Sequence, residues 1–337
     1  MDPTTFPFHS LTNAELYDNL ESIEKIIKCK LKNQNFSNFI KTQTFTDNTN
    51  LNPCKYYTPE QFIKNFGKHL DGNGNDGQFL HINIRSIDKH FGQFIAFTHL
   101  IGDPDYIGLS EIGQKNLASR KRQLQQLGYE MKYEKPLKVR GGVALICKKG
   151  IKLKKRGDLK IQRANNIHDL DLENIWYELD IPDIGTTIIG VVYKHPNCTV
   201  VGWKQFTDSV INNIHKINKE NKQLVLMGDI NADGLRINQN EHVRNFFEQV
   251  LENDCIPQIT IPTRIQDGKC STIDHIIINN KLMRKVSKKV PGNMFSDLSD
   301  HLPVFLILKK KEITKTIKER PMVRLFGEKI LKSLQIK

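Results

Sequence analysis

Residues 223–231 read Gln-Leu-Val-Leu-Met-Gly-Asp-Ile-Asn. A short apolar run bounded by polar residues predicts a strand buried on both faces, as in a sheet covered on each side. The run ends at Asp229 and Asn231, which leaves a carboxylate and an amide where the strand emerges from the core. A carboxylate in that position is partly desolvated, which costs free energy unless a cation or a donor meets it. The same layout recurs along the chain. Asn83 sits inside HINIRS, Glu111 follows IGLS, Tyr193 closes IIGVVY, Asp274 opens DHIIIN, and Ser299-Asp300-His301 precedes LPVFLIL. A single Asp in such a place is also what a capped turn needs. Four or more converging carboxylates would instead make a site for a metal ion and a phosphate.

Working outward, short apolar runs alternate with helix-like segments from residue 78 onward. FLHINI, DYIGLSE, GVALIC, IWYELD, TTIIGVVY, QLVLMGD, IDHIIIN and LPVFLIL all read as strands. Apolar residues three or four apart predict helices over 88–101, 115–127, 202–220 and 241–251. The class is α/β or α+β with layered sheets, and no repeat of 20 to 50 residues is evident. Residues 1–77 read as an accessory arm: Thr12 and Glu15 form a capping box, Leu16, Leu20, Ile23 and Ile27 share a helical face to about residue 32, and DGNGNDG at 71–77 marks the boundary. Residues 309–337 form a basic tail.

The 337 residues carry a net charge of +13, with 38% hydrophobic residues and a mean hydropathy of -0.46. These values exclude a wholly disordered chain, a collagen-like fibre and a disulfide scaffold. No run approaches the length of a membrane span, and MDPTTFPFHS lacks a signal-peptide layout, so the expectation is an intracellular and, from the function inferred below, nuclear protein with no membrane partner. The six cysteines show no zinc spacing and read as reduced thiols. The arm holds eight basic and nine acidic residues, which leaves +14 for the rest. Basic runs at 148–156, 284–289 and in the tail favour a polyanionic partner over three merely solvated faces.

The ordered series Asn83, Glu111, Tyr193, Asp229-x-Asn231, Asp274, Ser299-Asp300-His301 resembles the endonuclease/exonuclease/phosphatase superfamily, over residues 78 to about 308. GDIN and SDHLPV are the sharpest pieces. HINIRSIDKHFGQF, RGGVALICKKGI, VVYKHPN, PTRI with STIDHIIIN, and RPMVRLFGEK resemble in particular the endonuclease domain of LINE-type, non-LTR retrotransposons. The resemblance implies a DNase I-like four-layer α/β sandwich of two packed β-sheets flanked by helices, with the site at one edge.

It also implies Mg²⁺-dependent cleavage of a DNA phosphodiester that leaves a 3′-hydroxyl, with Mn²⁺ as a substitute ion. Glu111, helped by Asn83, would hold the metal. Asp229 would handle a proton of the attacking water or the leaving group, and Asn231 would donate to oxygen. His301 would bind phosphate or water, with Asp274 on its other ring nitrogen. Asp300 would support the same edge, Ser299 and Thr263 would brace the site or touch phosphate, and Tyr193 would reach the phosphate. The expected partners are double-stranded DNA and a reverse transcriptase or element RNA, although no Tyr-x-Asp-Asp polymerase signature occurs.

Two departures stand against the family pattern. Tyr193-Lys194-His195-Pro196-Asn197 has one residue more than the Tyr-x-Pro-Asn of apurinic endonucleases, and Ile-Gly-Gln follows Glu111. His195 reads as a turn residue beside proline, and Arg140-Gly141-Gly142 as a turn entering a strand. An EF-hand reading of Asp229 to Gly234 fails, because position 12 would be Asn240 and a strand precedes the loop. An apurinic or other repair endonuclease, a phosphoesterase of the same fold, and a nucleic-acid-binding relative that no longer cuts remain open at this level.

Overall fold

The eight apolar runs all form strands, and the four periodic segments all form helices. In the computed structural model, residues 36–43, 54–67, 77–136, 141–162, 172–266 and 269–310 are described. In chain order the elements are α1 (Phe36–Gln43), β1 (Lys55–Tyr57), α2 (Pro59–Phe66), β2 (Gly77–Asn83), α3 (Ile87–Leu100), β3 (Tyr106–Ser110), α4 (Leu117–Gln126), β4 (Tyr129–Glu134), β5 (Val143–Lys148), β6 (Lys154–Lys155), β7 (Leu172–Ile181) and β8 (Gly185–Lys194). They continue with α5 (Val200–Lys219), β9 (Gln223–Asp229), α6 (Glu241–Glu252), β10 (Cys255–Pro257), β11 (Arg264–Gln266), β12 (Lys269–Ser271), β13 (Asp274–Asn279), α7 (Asn280–Lys285), β14 (Val286–Met294) and β15 (Val304–Lys310). The helix expected from Thr12, the loop at 71–76, Arg140 and the tail beyond Lys310 lie outside the described residues.

One sheet has seven strands in the order β1-β14-β15-β2-β3-β5-β4, and the other has six in the order β10-β13-β9-β8-β7-β6. Three apolar clusters define four layers. Phe79, Leu145 and Leu306 of the first sheet meet Ile189, Val225 and Ile276 of the second in the central core. The outer face of the first sheet packs on α2, α3 and α4 through Phe62, Phe94 and Leu124, and that of the second on α5 and α6 through Phe206 and Phe246. Each fully buried side chain of this size contributes about 1.5 to 3 kcal/mol, which favours the layered arrangement over any that leaves a sheet face wet. At Gly108 the sheets approach so closely that a Cβ would lie 2.6 Å from Met227 Sδ.

Part of the expected arm is built into these layers. β1 pairs in parallel with β14, Lys55 opposite Gly292, and Phe36 of α1 is buried 4.9 Å from Phe247. The basic run at 148–156 divides as well. Lys149, Lys152, Lys154 and Lys155 are exposed, whereas Arg156 is buried and binds Asp158, Glu178 and Glu220. That arginine neutralises the protein's own acids instead of an outside anion.

Candidate active site

Strand polarity brings the polar strand ends to one edge. Asn83 closes β2 opposite Ser110 at the end of its parallel partner β3, and Glu111 is the next residue. In the other sheet Tyr193 lies opposite Asp229, near the ends of the parallel pair β8 and β9, and Asp229 lies opposite Asp274 at the start of antiparallel β13. β15 runs antiparallel to β2, which brings His301 to the same edge just before the strand begins. Residues as far apart in number as Arg85 and His301 therefore share one cleft of about 590 Å³, and Glu111, Tyr193, Asp229, Asn231 and His301 are in its wall.

Two of these residues are held in left-handed backbone, Glu111 at φ 54° and Asn231 at φ 47°. For residues with a Cβ such a conformation persists only where the surroundings impose it. Beyond Glu111, the Ile112 and Gly113 amides donate to the Gly142 and Gly141 carbonyls at 3.4 and 3.0 Å. At Asn231 the amide donates to Asp229 Oδ1 at 3.1 Å.

The side chains form two hydrogen-bonded groups at the seam between the sheets. Asn83 Nδ2 donates to both Glu111 Oε1 at 2.8 Å and Asp229 Oδ2 at 2.9 Å. Tyr193 donates its hydroxyl to Glu111 Oε1 at 3.1 Å. His301 Nδ1 lies 2.8 Å from Asp274 Oδ2, which also accepts from the Thr263 hydroxyl at 2.8 Å. Behind this pair, His81 Nε2 lies 2.9 Å from Ser110 Oγ, and its Nδ1 is 3.6 Å from Asp274 Oδ1.

Burial and mutual charge set the protonation states. Burial, the Asp274 charge and the Glu111 charge raise the Asp229 carboxyl to about 7, against the opposing effects of His301 and Asn83. Burial alone would lower the His301 imidazole, yet the charge and hydrogen bond of Asp274, with help from Asp229 and Asp300, raise it to about 9. Although burial opposes ionisation of Asp274 too, His301, His81 and Thr263 together hold it below the usual carboxylate range. Burial lowers His81 to about 4, so its ring is neutral. The edge thus holds an imidazolium–carboxylate pair beside a carboxyl able to gain or lose a proton near neutrality.

The remaining expected residues reach this edge with their polar atoms engaged within the protein. Ser299 donates its hydroxyl to the Asn83 carbonyl at 2.6 Å and accepts the His301 amide at 3.1 Å, which ties the His301 turn to β2. Thr263 accepts the Ile273 and Asp274 amides, each at 3.1 Å. Asn231 Nδ2 donates to the Lys194 carbonyl at 2.7 Å, and Asn197 is exposed. Asp300 is held by Arg85 and Arg264, through bonds of 2.7 and 2.8 Å to Oδ2. Those two arginines were missed in the sequence. Their signal was present, one residue from the strand end in HINIRS and inside PTRI, but a single basic residue carries no spacing pattern. His195, which read as a turn residue, lines the cleft with its ring centroid 4.5 Å from that of Tyr193.

The donor set suits a hard divalent cation. Glu111 supplies carboxylate oxygen, braced by the amide nitrogen of Asn83, whose Oδ1 accepts the Arg85 amide, and atoms of Asp229, Asp274 and His301 lie within 4.8 Å of one another. Asp274 Oδ1 is buried without a hydrogen-bond partner, as an atom awaiting a cation would be. A larger hollow of about 730 Å³, bordered by Asp105, Lys148, Lys154 and Glu178, opens at the other end of the strands and shares none of these groups.

Comparison with known proteins agrees with this fold. Residues 187–305 match the family described as endonuclease-reverse transcriptase. An AP endonuclease from Archaeoglobus fulgidus superposes with a TM-score of 0.52 at 15% identity, over 69% of this chain and 99% of its own. The endonuclease domain of TRAS1, a telomere-specific non-LTR retrotransposon, gives 0.51 at 12% identity, over 70% and 99%. The AP endonuclease LMAP from Leishmania major gives 0.53 at 14% identity, over 85% and 98%. No curated protein matches by sequence. The four-layer fold is that of DNase I-like enzymes, as the order of strand-end residues implied.

Proposed function

We propose that the chain is a divalent-metal-dependent endonuclease of the endonuclease/exonuclease/phosphatase superfamily that nicks double-stranded DNA and leaves a 3′-hydroxyl for reverse transcription. The observation that carries this reading is the hydrogen-bonded group in which Asn83 bridges Glu111 and Asp229 across two sheets. The family description pairs such an endonuclease with a reverse transcriptase, and the +14 carried by residues 78–337 suits a duplex polyanion.

Glu111, helped by Asn83, would hold Mg²⁺ or Mn²⁺, which when bound would polarise the scissile phosphate and offset charge on the leaving oxygen. The protein's own groups account for the rest. Asp229 positions water in line with the phosphorus or moves a proton to the departing 3′-oxygen. His301, held as imidazolium by Asp274, donates to a phosphoryl oxygen as negative charge develops there. Tyr193 and Asn83 hold the Glu111 carboxylate in one orientation, so no reorganisation is needed when substrate arrives. Element RNA or a reverse transcriptase would be partners, and the nucleus the place of action.

Relaxation of supercoiled plasmid in Mg²⁺ tests the reading. EDTA or Asp229→Ala is expected to abolish nicking, and undiminished nicking by the substituted protein refutes the assignment. Parallel assays on an abasic oligonucleotide and an inositol phosphate separate this reading from that of a repair enzyme or a different phosphoesterase. Among the described residues no helix is long and apolar enough to cross a membrane.

A further inference from the structure

We propose that His195, oriented by the buried carboxylate of Glu173, contacts a backbone phosphate of the nucleic acid next to the scissile one. This rests on the reading that the cleft takes a phosphodiester, and it adds a substrate-positioning residue outside the two groups described above.

Strand alternation places the ring. Side chains two apart along an extended chain share a face, so Tyr193 and His195 lie together while Lys194 points the opposite way, its Nζ 3.8 Å from the centre of the Trp203 ring. The residue inserted between tyrosine and proline is therefore what turns an imidazole toward the cleft. Its backbone is pinned from two sides. Lys194 Nζ donates to the His195 carbonyl at 3.3 Å, and Asn231 holds the Lys194 carbonyl at 2.7 Å.

Glu173 is a fully buried carboxylate on β7, opposite Tyr193 in register. Its Oε2 lies 3.9 Å from His195 Nε2 and accepts the Gly142 amide. A buried carboxylate that takes no part in the Asp229 and Asp274 groups is a costly feature, and this one is accommodated by a special backbone. Gly141 and Gly142 have φ of 130° and 85°, and a Cβ on Gly141 would lie 2.6 Å from Glu173 Oε2. The same two glycines accept the amides that follow Glu111. One buried carboxylate thus orients the cleft imidazole and braces the turn that carries the metal-binding candidate. His195 lies one strand step beyond Tyr193, whose hydroxyl faces Glu111, so the phosphate within its reach is a neighbour of the one cleaved.

The test uses the full chain with Mg²⁺ and a duplex oligonucleotide nicked at one position. His195→Ala should raise KM about tenfold with kcat changed by less than about twofold, a split expected when a contact binds ground state and transition state alike. His195→Gln, which keeps a donor, should recover part of that loss, and thermal melting of both variants verifies folding. Neutral methylphosphonate placed singly at each flanking position should weaken the wild type at one site where His195→Ala is insensitive, with equal effects elsewhere. If folded His195→Ala keeps the wild-type methylphosphonate profile, or loses kcat while KM holds, the inference is overturned. Absence of any nicking by the wild type would instead refute the endonuclease reading itself.

Discussion

Replacing Asp274 with Asn removes the charge that holds His301 protonated while keeping the side chain's shape. His301 moves from the ordinary imidazole value near 6.5 to about 9 in the folded protein, a difference of about 3 kcal/mol between its two protonation states. Because the folded value is the higher one, this stabilisation is complete below about pH 6.5 and is lost as pH rises through 9. Asp229 moves in the same direction, from 3.8 to about 7, and is ionised by pH 8; above pH 8 the thiols of Cys54, Cys147 and Cys255, raised by burial, and Lys194, lowered by burial, also differ between folded and unfolded chain, so the His301 contribution is the difference between proteins that share those groups. Urea unfolding should therefore show the wild type losing about 1.4 kcal/mol more than Asp274→Asn or His301→Gln between pH 8 and pH 10, one pH unit of the remaining window. Asp274→Asn should also lower nicking by about 10²-fold or more. Equal slopes in all three proteins would refute the claim that this pair is an imidazolium and a carboxylate.

Phe36→Ala should cost about 3 to 5 kcal/mol, because the ring is 2% exposed and packs on Phe247; melting of the full chain measures it, and a loss below about 1 kcal/mol would mean α1 is not part of the core. Gly142→Ala places a Cβ 2.7 Å from Ile112 Cγ1 at φ 85°, so both stability and nicking should fall, the strain alone being about 1 to 3 kcal/mol. Arg156→Ala leaves Asp158, Glu178 and Glu220 clustered, and all three are held below the usual carboxylate range by Arg156 or Lys222. Carboxyls lowered by folding stabilise above their unfolded values, so this contribution is lost below about pH 4.5, and the urea midpoint should fall less on acidification below that pH in Arg156→Ala than in the wild type.

Strands buried on both faces were legible because apolar residues run without interruption, and polar strand ends stand out against them. Strands whose apolar run is broken by charged residues, proline or glycine were not. β4 reads Tyr-Glu-Met-Lys-Tyr-Glu, with only Tyr129 and Met131 buried, and β14 begins Val-Ser-Lys-Lys and contains Pro291 and Gly292. β14 tolerates that proline in a place where periodicity gives no guidance, and its lysines read as a surface run. α1 and β1 were illegible for another reason, since eight and three residues are too few to display a period. At the site, the ordered polar residues located the edge. What sequence does not carry is which atom each side chain engages: Ser299 and Thr263 serve as ties, Asp300 is held by arginine, and His195 leaves its turn to face the cleft.

The place of β15 has a consequence during synthesis. It is the antiparallel neighbour of β2, yet about 220 residues of chain separate them. At a ribosomal pace of about 5 to 20 residues per second, the open edge of β2 waits roughly 10 to 40 seconds for its partner. Through that interval the nascent chain presents an unpaired apolar strand to its surroundings, the kind of edge that recruits other chains. Codon speed or chaperone supply over that window should govern the yield of soluble product more strongly than any single contact within the finished molecule.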